Sequence, residues 1–295
     1  SRAVVDAHWG VNHEHPPLMK ALFALSADLL HHRLGILGLG NGLRLPSIVV
    51  ASCLVALVYM WGTRVAGPFA GVVAAVALAA MPQLCFHAHL ACFDVPIAAL
   101  FAANAYAFVR AAEAPSRGTI ARAGILFGLA LATKHNSWFL PPLFAGSAFA
   151  YAVWARRTGD PVRPAIRGAV AALGAAVVVG PLVLWALWPW IWRDTFHRFA
   201  DYAAFHLRHE FYNMEFLGET YWRPPFPRTY APLMTAATVP TTTLLLALVG
   251  AFVKGRSAVM DLLRRASGSL AAHRTTIVWT AAILVSYAPW LRDST

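Results

Sequence analysis

The densest group of side chains that could do chemistry lies between His13 and Lys20. These eight residues read His-Glu-His-Pro-Pro-Leu-Met-Lys and directly precede a long apolar run. Imidazole and carboxylate groups can exchange protons or bind a metal, and the Lys20 ammonium can bind a phosphate. Pro16 and Pro17 fix the backbone before the following helix, because proline locks φ and lacks an N–H. The group is either a functional site or an ordinary polar loop at a membrane interface.

A second group of candidates surrounds Asp94. His87 and His89 precede this carboxylate, which stands where the sequence predicts that a helix begins. Asp94 is therefore either an ordinary helix cap or a catalytic or metal-associated group. The two histidines are candidate metal ligands, although side chains two residues apart share a face only in an extended segment.

Two further groups follow near the ends of apolar stretches. Lys134, in the run Thr-Lys-His-Asn, either extends its ammonium toward water from the end of a span or captures a lipid phosphate. The run from His206 to Tyr212, with Glu215 and Glu219 after it, is a candidate for binding sugars or phosphates.

The composition is that of a membrane protein. Hydrophobic residues make up 59% of the 295 positions, charged residues make up 13%, and the mean hydropathy is +0.57. A soluble domain would carry about twice that share of charged residues. We therefore predict an all-α polytopic membrane protein, with residues 1–295 forming one transmembrane domain. The net charge of +11 does not predict nucleic-acid binding, because the basic residues form no single patch with interleaved aromatics.

About eight membrane spans are predicted, because each needs about 20 mostly apolar residues. A first outer loop covers 1–43, and residues 18–37 within it carry too many polar groups for a span. They are predicted to form an amphipathic juxtamembrane helix. A long outer loop, 191–231, separates the spans of 44–190 from those of 232–291. The predicted spans are 44–66, 68–86, 95–110, 119–133, 136–155, 168–190, 232–253 and 275–291.

The loops between these spans differ in charge. One face receives 13 Lys and Arg residues with three acids, and it is predicted to be cytoplasmic because positive charge is retained on that side. The other face receives 11 basic residues, ten acids and all the histidines except His273. Any chemistry is therefore expected to face away from the cytoplasm.

An ordered set of motifs resembles the glycosyltransferase family 39 enzymes. These are bacterial relatives of protein O-mannosyltransferases and of lipid A aminoarabinose transferases. The set comprises E-H-P-P-L-x-K at 14–20, R-L-P-S at 44–47, M-P at 81–82, D-V-P at 94–96 and G-x-x-x-G-L-A-x-x-T-K at 124–134. The order and spacing of the motifs carry the resemblance, since each motif alone is weak.

The resemblance implies a GT-C membrane fold in the inner membrane of a bacterium. Such an enzyme moves a sugar from a polyprenyl-phosphate donor to an acceptor, either a protein or a glycolipid, on the periplasmic face. Asp94 and Glu14 would be catalytic, and the residues expected to bind substrate are His15, Lys20, Lys134 and Arg44. Whether a divalent metal is needed stays open; its candidate ligands are Glu14, His87 and His89.

The expected mechanism is transfer with inversion at the anomeric carbon. A carboxylate accepts the proton of the acceptor, and general-base help of this kind is worth ~100- to 10,000-fold. The ammonium or imidazole groups would stabilise the leaving polyprenyl phosphate. In this family the leading acid precedes E-H-P-P-L, whereas the only upstream acid here, Asp6, does not match its motif. We therefore expect an N-terminally truncated, catalytically incomplete chain.

Two other classes of function are considered. A transporter or flippase of lipid-linked substrates would place ionisable groups near the middle of its spans. A scaffold that only binds polyprenyl lipids would keep the lipid contacts without turnover. The predicted spans are nearly free of internal charge, which favours the enzyme.

Overall fold

The computed structural model describes residues 12–208 and 213–291. Within them the chain is almost entirely helical, which confirms the all-α prediction. Short 3₁₀ segments cover His135–Phe139, Pro189–Trp192 and Ala288–Leu291, and a π-helical turn covers Asp28–Arg33. The α-helices are α1 (Leu18–Ala27), α2 (Leu39–Ala66), α3 (Pro68–Ala79), α4 (Pro82–Ala88), α5 (Asp94–Glu113), α6 (Arg117–Leu131), α7 (Leu140–Thr158), α8 (Val162–Leu187), α9 (Thr195–Leu207), α10 (Tyr230–Thr238), α11 (Thr241–Leu263) and α12 (Leu270–Tyr287).

Five helical segments in the described residues are long and apolar enough to cross a membrane. They are α2, α5, α7 with the 3₁₀ turn before it, α8 and α11. Helices α3 and α4 add a sixth if their 63° bend interrupts one span. Helix α6, with 15 residues, and α12 fall outside this group. Length and hydropathy therefore support five or six spans rather than the eight predicted.

The predicted span at 68–86 is interrupted in the middle. Met81 is extended, with φ −74° and ψ 117°, and Pro82 begins the new helix α4. A residue before proline is driven out of the α region by the proline ring, and proline cannot donate to the preceding turn. Met81-Pro82 therefore ends α3 and redirects the chain toward Asp94.

The helix predicted over 18–37 is shorter in the structure. Helix α1 ends at Ala27, and the chain passes through the π-helical turn before Gly35 reverses it at φ 64°. Met19, Phe23 and Ala27 are buried and lie four residues apart, so they form one stripe along α1. This stripe reaches α2 where a methyl group on Gly42 would lie 3.1 Å from the Ala27 Cα.

The segment predicted as a long loop, 191–231, contains regular structure. Helix α9 packs beside the Pro189–Trp192 turn. A hairpin then follows, in which β1 (Met214–Phe216) pairs antiparallel with β2 (Glu219–Tyr221). Leu217 and Gly218 both have positive φ, as a two-residue hairpin turn with the twist of its strands requires.

Helices α6 and α8 share the most extensive helix contact in the described part of the chain. Gly124 and Gly128 of α6 stand four residues apart on one face, and no side chain separates them from α8. A methyl group on Gly124 would lie 2.8 Å from the Ala175 carbonyl oxygen. Without a hydrophobic driving force in lipid, such close backbone packing is a main source of helix association.

Polar bonds tie the helices together at the end of the bundle that holds the α5–α6 and α7–α8 connections. Glu113 accepts from Arg64 of α2 at 2.7 Å and from Arg110 at 2.9 Å. Asp160 accepts from the Ser267 hydroxyl at 2.5 Å and from the Gly268 N–H at 2.9 Å. These hydrogen bonds hold the pKa of Asp160 below its usual value, so the connection carries a charge at neutral pH.

The glycine contact makes a testable prediction about stability. Gly124→Ala should lower the stability of the detergent-solubilised protein by ~1–3 kcal/mol, because the added methyl group meets backbone of α8. The matched control is Gly174→Ala in α8, where a methyl group would meet nothing within 4 Å. It should leave stability unchanged or raise it, because alanine is the better helix former. Thermal unfolding followed by circular dichroism measures both, and equal melting curves for the two variants would contradict the contact.

Candidate functional site

Three separate parts of the chain meet at the other end of the bundle. They are the turn before α1, the corner between α4 and α5, and the segment after α6. Pro16 and Pro17 are buried and have no N–H, so Leu18 offers the first backbone donor after them. Its N–H binds the carbonyl oxygen of Ala132 at 2.9 Å. This bond fixes the His13–Lys20 segment beside the end of α6.

Asp94 and Lys134 form an ion pair that joins two of these parts. The Lys134 ammonium lies 2.8 Å from Oδ1 of Asp94, although the residues are 40 positions apart. The N-cap residue of α5 is Phe93 and Asp94 is the first helical residue, so the Asp94 side chain does not occupy the capping position. Its hydrogen bond goes to Lys134 instead, which sets it apart from an ordinary helix cap. The second oxygen, Oδ2, lies 3.8 Å from Nδ1 of His87.

His15 lies at the centre of the charged groups. Its ring stacks on Phe93 with 5.0 Å between centroids, next to Asp94 in the chain. Burial lowers the pKa of His15, and the cations Lys134 and Lys20 lower it further, while Glu14 opposes them. His15 is therefore held neutral at physiological pH, with cations on more than one side.

The remaining residues of the His13–Lys20 segment contribute unequally. Lys20 donates to the carbonyl oxygen of Asn12 at 2.6 Å. Burial lowers the pKa of Lys20, and Glu14 acts against that shift. The Glu14 carbonyl oxygen accepts from Nε2 of His206 at 2.8 Å, which connects the segment to α9. Arg44 is exposed near the start of α2 and makes no hydrogen bond or ion pair within the described residues.

The predicted metal ligands do not come together as a set. His89 donates its Nδ1–H to the carbonyl oxygen of Cys85 at 2.7 Å, and Glu14 is not among its neighbours. A different triplet is close instead: ligand atoms of His87, Cys92 and Asp94 all lie within 4.8 Å of one another. It is the one such group of three in the described ranges 12–208 and 213–291.

An aromatic and imidazole cluster supports the site from the side of α9, and sequence reasoning missed it. His206 stacks on His135 with 3.9 Å between centroids. Tyr202 is 1% exposed and meets the edges of Trp138 and Trp188. Spacing of four residues between Tyr202 and His206 on α9 was the available signal, since such residues share a helix face.

Two of the predicted regions extend beyond the described residues. Positions 209–212 of the candidate sugar- or phosphate-binding run lie outside them, and so does Asp6. After that run, the Glu215 carboxylate accepts from Thr220 at 2.7 Å and the Glu219 carboxylate accepts from Tyr221 at 2.8 Å. These bonds lie within the hairpin.

Comparison with a known structure shows the fold. The described chain is similar to the crystal structure of ArnT from Cupriavidus metallidurans in the apo state, with a TM-score of 0.55 and 19% sequence identity. The similarity covers 94% of this chain and 49% of that one. The chain thus spans about half the length of the structure that it matches, and at this identity the likeness establishes the fold alone.

Comparison of sequences shows the family. No curated protein sequence matches the chain significantly. A family model described as dolichyl-phosphate-mannose-protein mannosyltransferase matches residues 14–185. The match begins at Glu14 of the E-H-P-P-L segment and includes both Asp94 and Lys134. It covers more than half of the chain, so the protein belongs to the dolichyl-phosphate-mannose-protein mannosyltransferase family.

Proposed function

We propose that this protein is part of a membrane glycosyltransferase that moves a sugar from a polyprenyl-phosphate donor to an acceptor. The family is named for a sugar carried on dolichyl phosphate, which is a lipid phosphate of that kind. Several helices are apolar enough to sit in a membrane beside such a lipid. In this proposal the site faces the periplasm of a bacterial inner membrane, and the acceptor is a protein or a glycolipid.

The Asp94–Lys134 ion pair next to neutral His15 is the observation that carries the proposal. Glycosyl transfer needs a base for the acceptor hydroxyl and positive charge for the departing phosphate. Asp94 can supply the base, with half of its side chain exposed to solvent. The Lys134 ammonium is paired with the same carboxylate, and it can stabilise the negative charge of the departing phosphate.

The acceptor oxygen forms a bond to the anomeric carbon while the bond from that carbon to the phosphate oxygen breaks. The hydroxyl proton passes to the Asp94 carboxylate, and the electron pair leaves with the polyprenyl phosphate. Lys134 and Lys20 bind the phosphate oxygens as charge develops there. His15, kept neutral, can donate one N–H to the same group.

Two predicted residues take secondary roles in this proposal. Glu14 is the alternative base, because it is a carboxylate close enough to His15 and Lys20 to raise the pKa of both. Arg44 is exposed and separate from the ion pair, so its proposed contribution is limited to attracting the anionic donor. Removing Arg44 should therefore weaken donor binding without changing the pH profile of turnover.

The base assignment is tested by replacing Asp94 in membranes that carry the protein. Asp94→Asn should reduce release of a radiolabelled sugar from its polyprenyl phosphate by ~100-fold or more, since general-base help is of that size. Asp28→Asn is the matched control, because that carboxylate is exposed and pairs with Arg33 at 2.8 Å away from the site. It should leave turnover unchanged.

Other outcomes of the same assay count against the proposal. Equal turnover of Asp94→Asn and the wild type would remove Asp94 from the reaction. Movement of the intact lipid-linked sugar across the membrane, without cleavage, would instead support the transporter. Lys134→Gln should raise the donor KM, and Lys134→Arg should restore part of it because the charge is kept.

The state of His15 gives a prediction about pH. The pKa of His15 in the folded protein lies below its ordinary value of 6.5, so the folded state favours the neutral ring. Its contribution to stability is present above about pH 6.5 and is lost as the pH falls toward the lower, folded-state pKa. His15→Gln should therefore reduce the loss of Tm between about pH 7.5 and about pH 5.5.

The control for this measurement is a histidine on the surface. His197 is exposed and lies 3.5 Å from Asp201 one turn along α9. His197→Gln should leave the slope of Tm against pH close to that of the wild type. A His15→Gln variant with the wild-type slope would show that His15 is not held neutral.

A further inference from the structure

The corner between α4 and α5 brings three different metal-ligating atoms together. His87 lies in the last turn of α4, Cys92 lies in the connection, and Asp94 begins α5. One imidazole nitrogen, the Sγ atom and one carboxylate oxygen all lie within 4.8 Å of one another. Because the three residues fall within eight positions, the corner itself sets their geometry. The Cys92 thiol donates a hydrogen bond to the carbonyl oxygen of His87, with 3.7 Å between Sγ and the oxygen.

The His87 ring has a polar atom without a partner. Its Nδ1 is shielded from solvent and makes no hydrogen bond within the described residues. At 3.8 Å, Oδ2 of Asp94 is too far away to satisfy it. A buried nitrogen that faces a carboxylate and a thiol at such distances is suited to donate its lone pair to a cation.

We propose that His87, Cys92 and Asp94 form a binding site for one Zn²⁺ ion. Imidazole, thiolate and carboxylate are the three ligand types that zinc accepts. In a tetrahedral site with bonds of ~2.0–2.3 Å, neighbouring ligand atoms stand ~3.3–3.8 Å apart. The separation of 3.8 Å between His87 and Asp94 already matches that range. The other separations in the group are at most 4.8 Å, so none needs to close by more than ~1 Å to reach that range.

The ion pair with Lys134 does not block this site. Lys134 binds Oδ1 of Asp94, whereas the oxygen that faces His87 is Oδ2. One carboxylate can therefore serve the ammonium with one oxygen and the metal with the other. The thiolate and the carboxylate together balance the two charges of the ion. Three protein ligands leave the fourth position open for water or another oxygen ligand.

Such an ion would fix the corner that holds Asp94. It would connect α4 to α5 through side chains. At its other end, α4 is bent by 63° from α3. The metal site and the proposed function share Asp94, and an ion on Oδ2 with Lys134 on Oδ1 would make that carboxylate a weaker base. The test of the metal site uses no substrate, so its failure is distinguishable from failure of the proposed function.

Cobalt titration of the purified protein in detergent tests the site. After treatment with a chelator, we expect one Co²⁺ per chain, the visible bands of a tetrahedral ion and a thiolate-to-cobalt charge-transfer band. Cys92→Ser should abolish the charge-transfer band. His87→Gln should keep the band but weaken binding by at least ~10-fold, because even second-shell changes around metals cost 10- to 100-fold.

Matched controls lie in the same corner. Cys85 donates to the carbonyl oxygen of Ala79, and His89 donates to that of Cys85, so both point away from the triplet. Cys85→Ser and His89→Gln should bind cobalt as the wild type does. Zn²⁺ should also raise the Tm of the wild type and of both controls but not that of Cys92→Ser, provided that all unfold cooperatively.

Three results would overturn the site. They are the absence of a charge-transfer band in the wild type, its retention in Cys92→Ser, and its loss in Cys85→Ser. The fold of Cys92→Ser is checked by gel filtration and by its Tm without metal. If both equal those of the wild type, the lost band is due to the missing ligand and not to a changed fold.

Discussion

The close approach of α6 to α8 is the constraint on which the candidate site depends. Gly124 and Gly128 allow the two backbones to meet, and this fixes where α6 ends. The residues just after that end do two things at once. Ala132 accepts the N–H of Leu18, and Lys134 reaches Asp94 at 2.8 Å. A shift of α6 along α8 would therefore separate the His13–Lys20 segment and the Asp94 corner together.

The carboxylates at the two ends of the bundle differ in their hydrogen bonding and exposure. At one end, Asp160 has both carboxylate oxygens bonded by hydroxyl and backbone donors within the protein, and one oxygen of Glu113 accepts from two arginines. At the other end, half of the Asp94 side chain stays exposed beside the Lys134 ammonium. Carboxylates bonded to several donors hold elements in place, while a half-exposed carboxylate beside a cation retains capacity for a proton or an ion.

Sequence patterns predicted the helices and most of the residues at the site, but not their pairing. Hydropathy and motif order identified α2, α5, α7, α8 and the ends where Asp94 and Lys134 lie. The sequence contains Met81-Pro82, but the residues on both sides are mostly apolar, so one continuous span was predicted at 68–86. Cys92 was not predicted as a metal ligand because the cysteines have no metal-ligand spacing in the sequence, and its approach to His87 and Asp94 is set by a helix corner. The packing of Tyr202 depends on how α9 folds back: its four-residue spacing to His206 indicates a shared helix face but not what that face contacts.

The position of charge along the helices bears on the kind of function. In four of the five candidate spans, α2, α5, α7 and α8, every Asp, Glu, Lys and Arg lies within the first or last two turns, whereas the fifth, α11, carries Lys254 further from its ends. Asn104, buried in the middle of α5, is a neutral group that donates to the carbonyl oxygens of Leu100 and Leu126. A charge at mid-membrane is costly and is kept where it serves a path for ions or substrate. These four helices hold no such charge, and their ionisable groups gather at helix ends, where a lipid phosphate and a polar acceptor can both approach. The arrangement suits chemistry at the surface of a membrane better than passage through it.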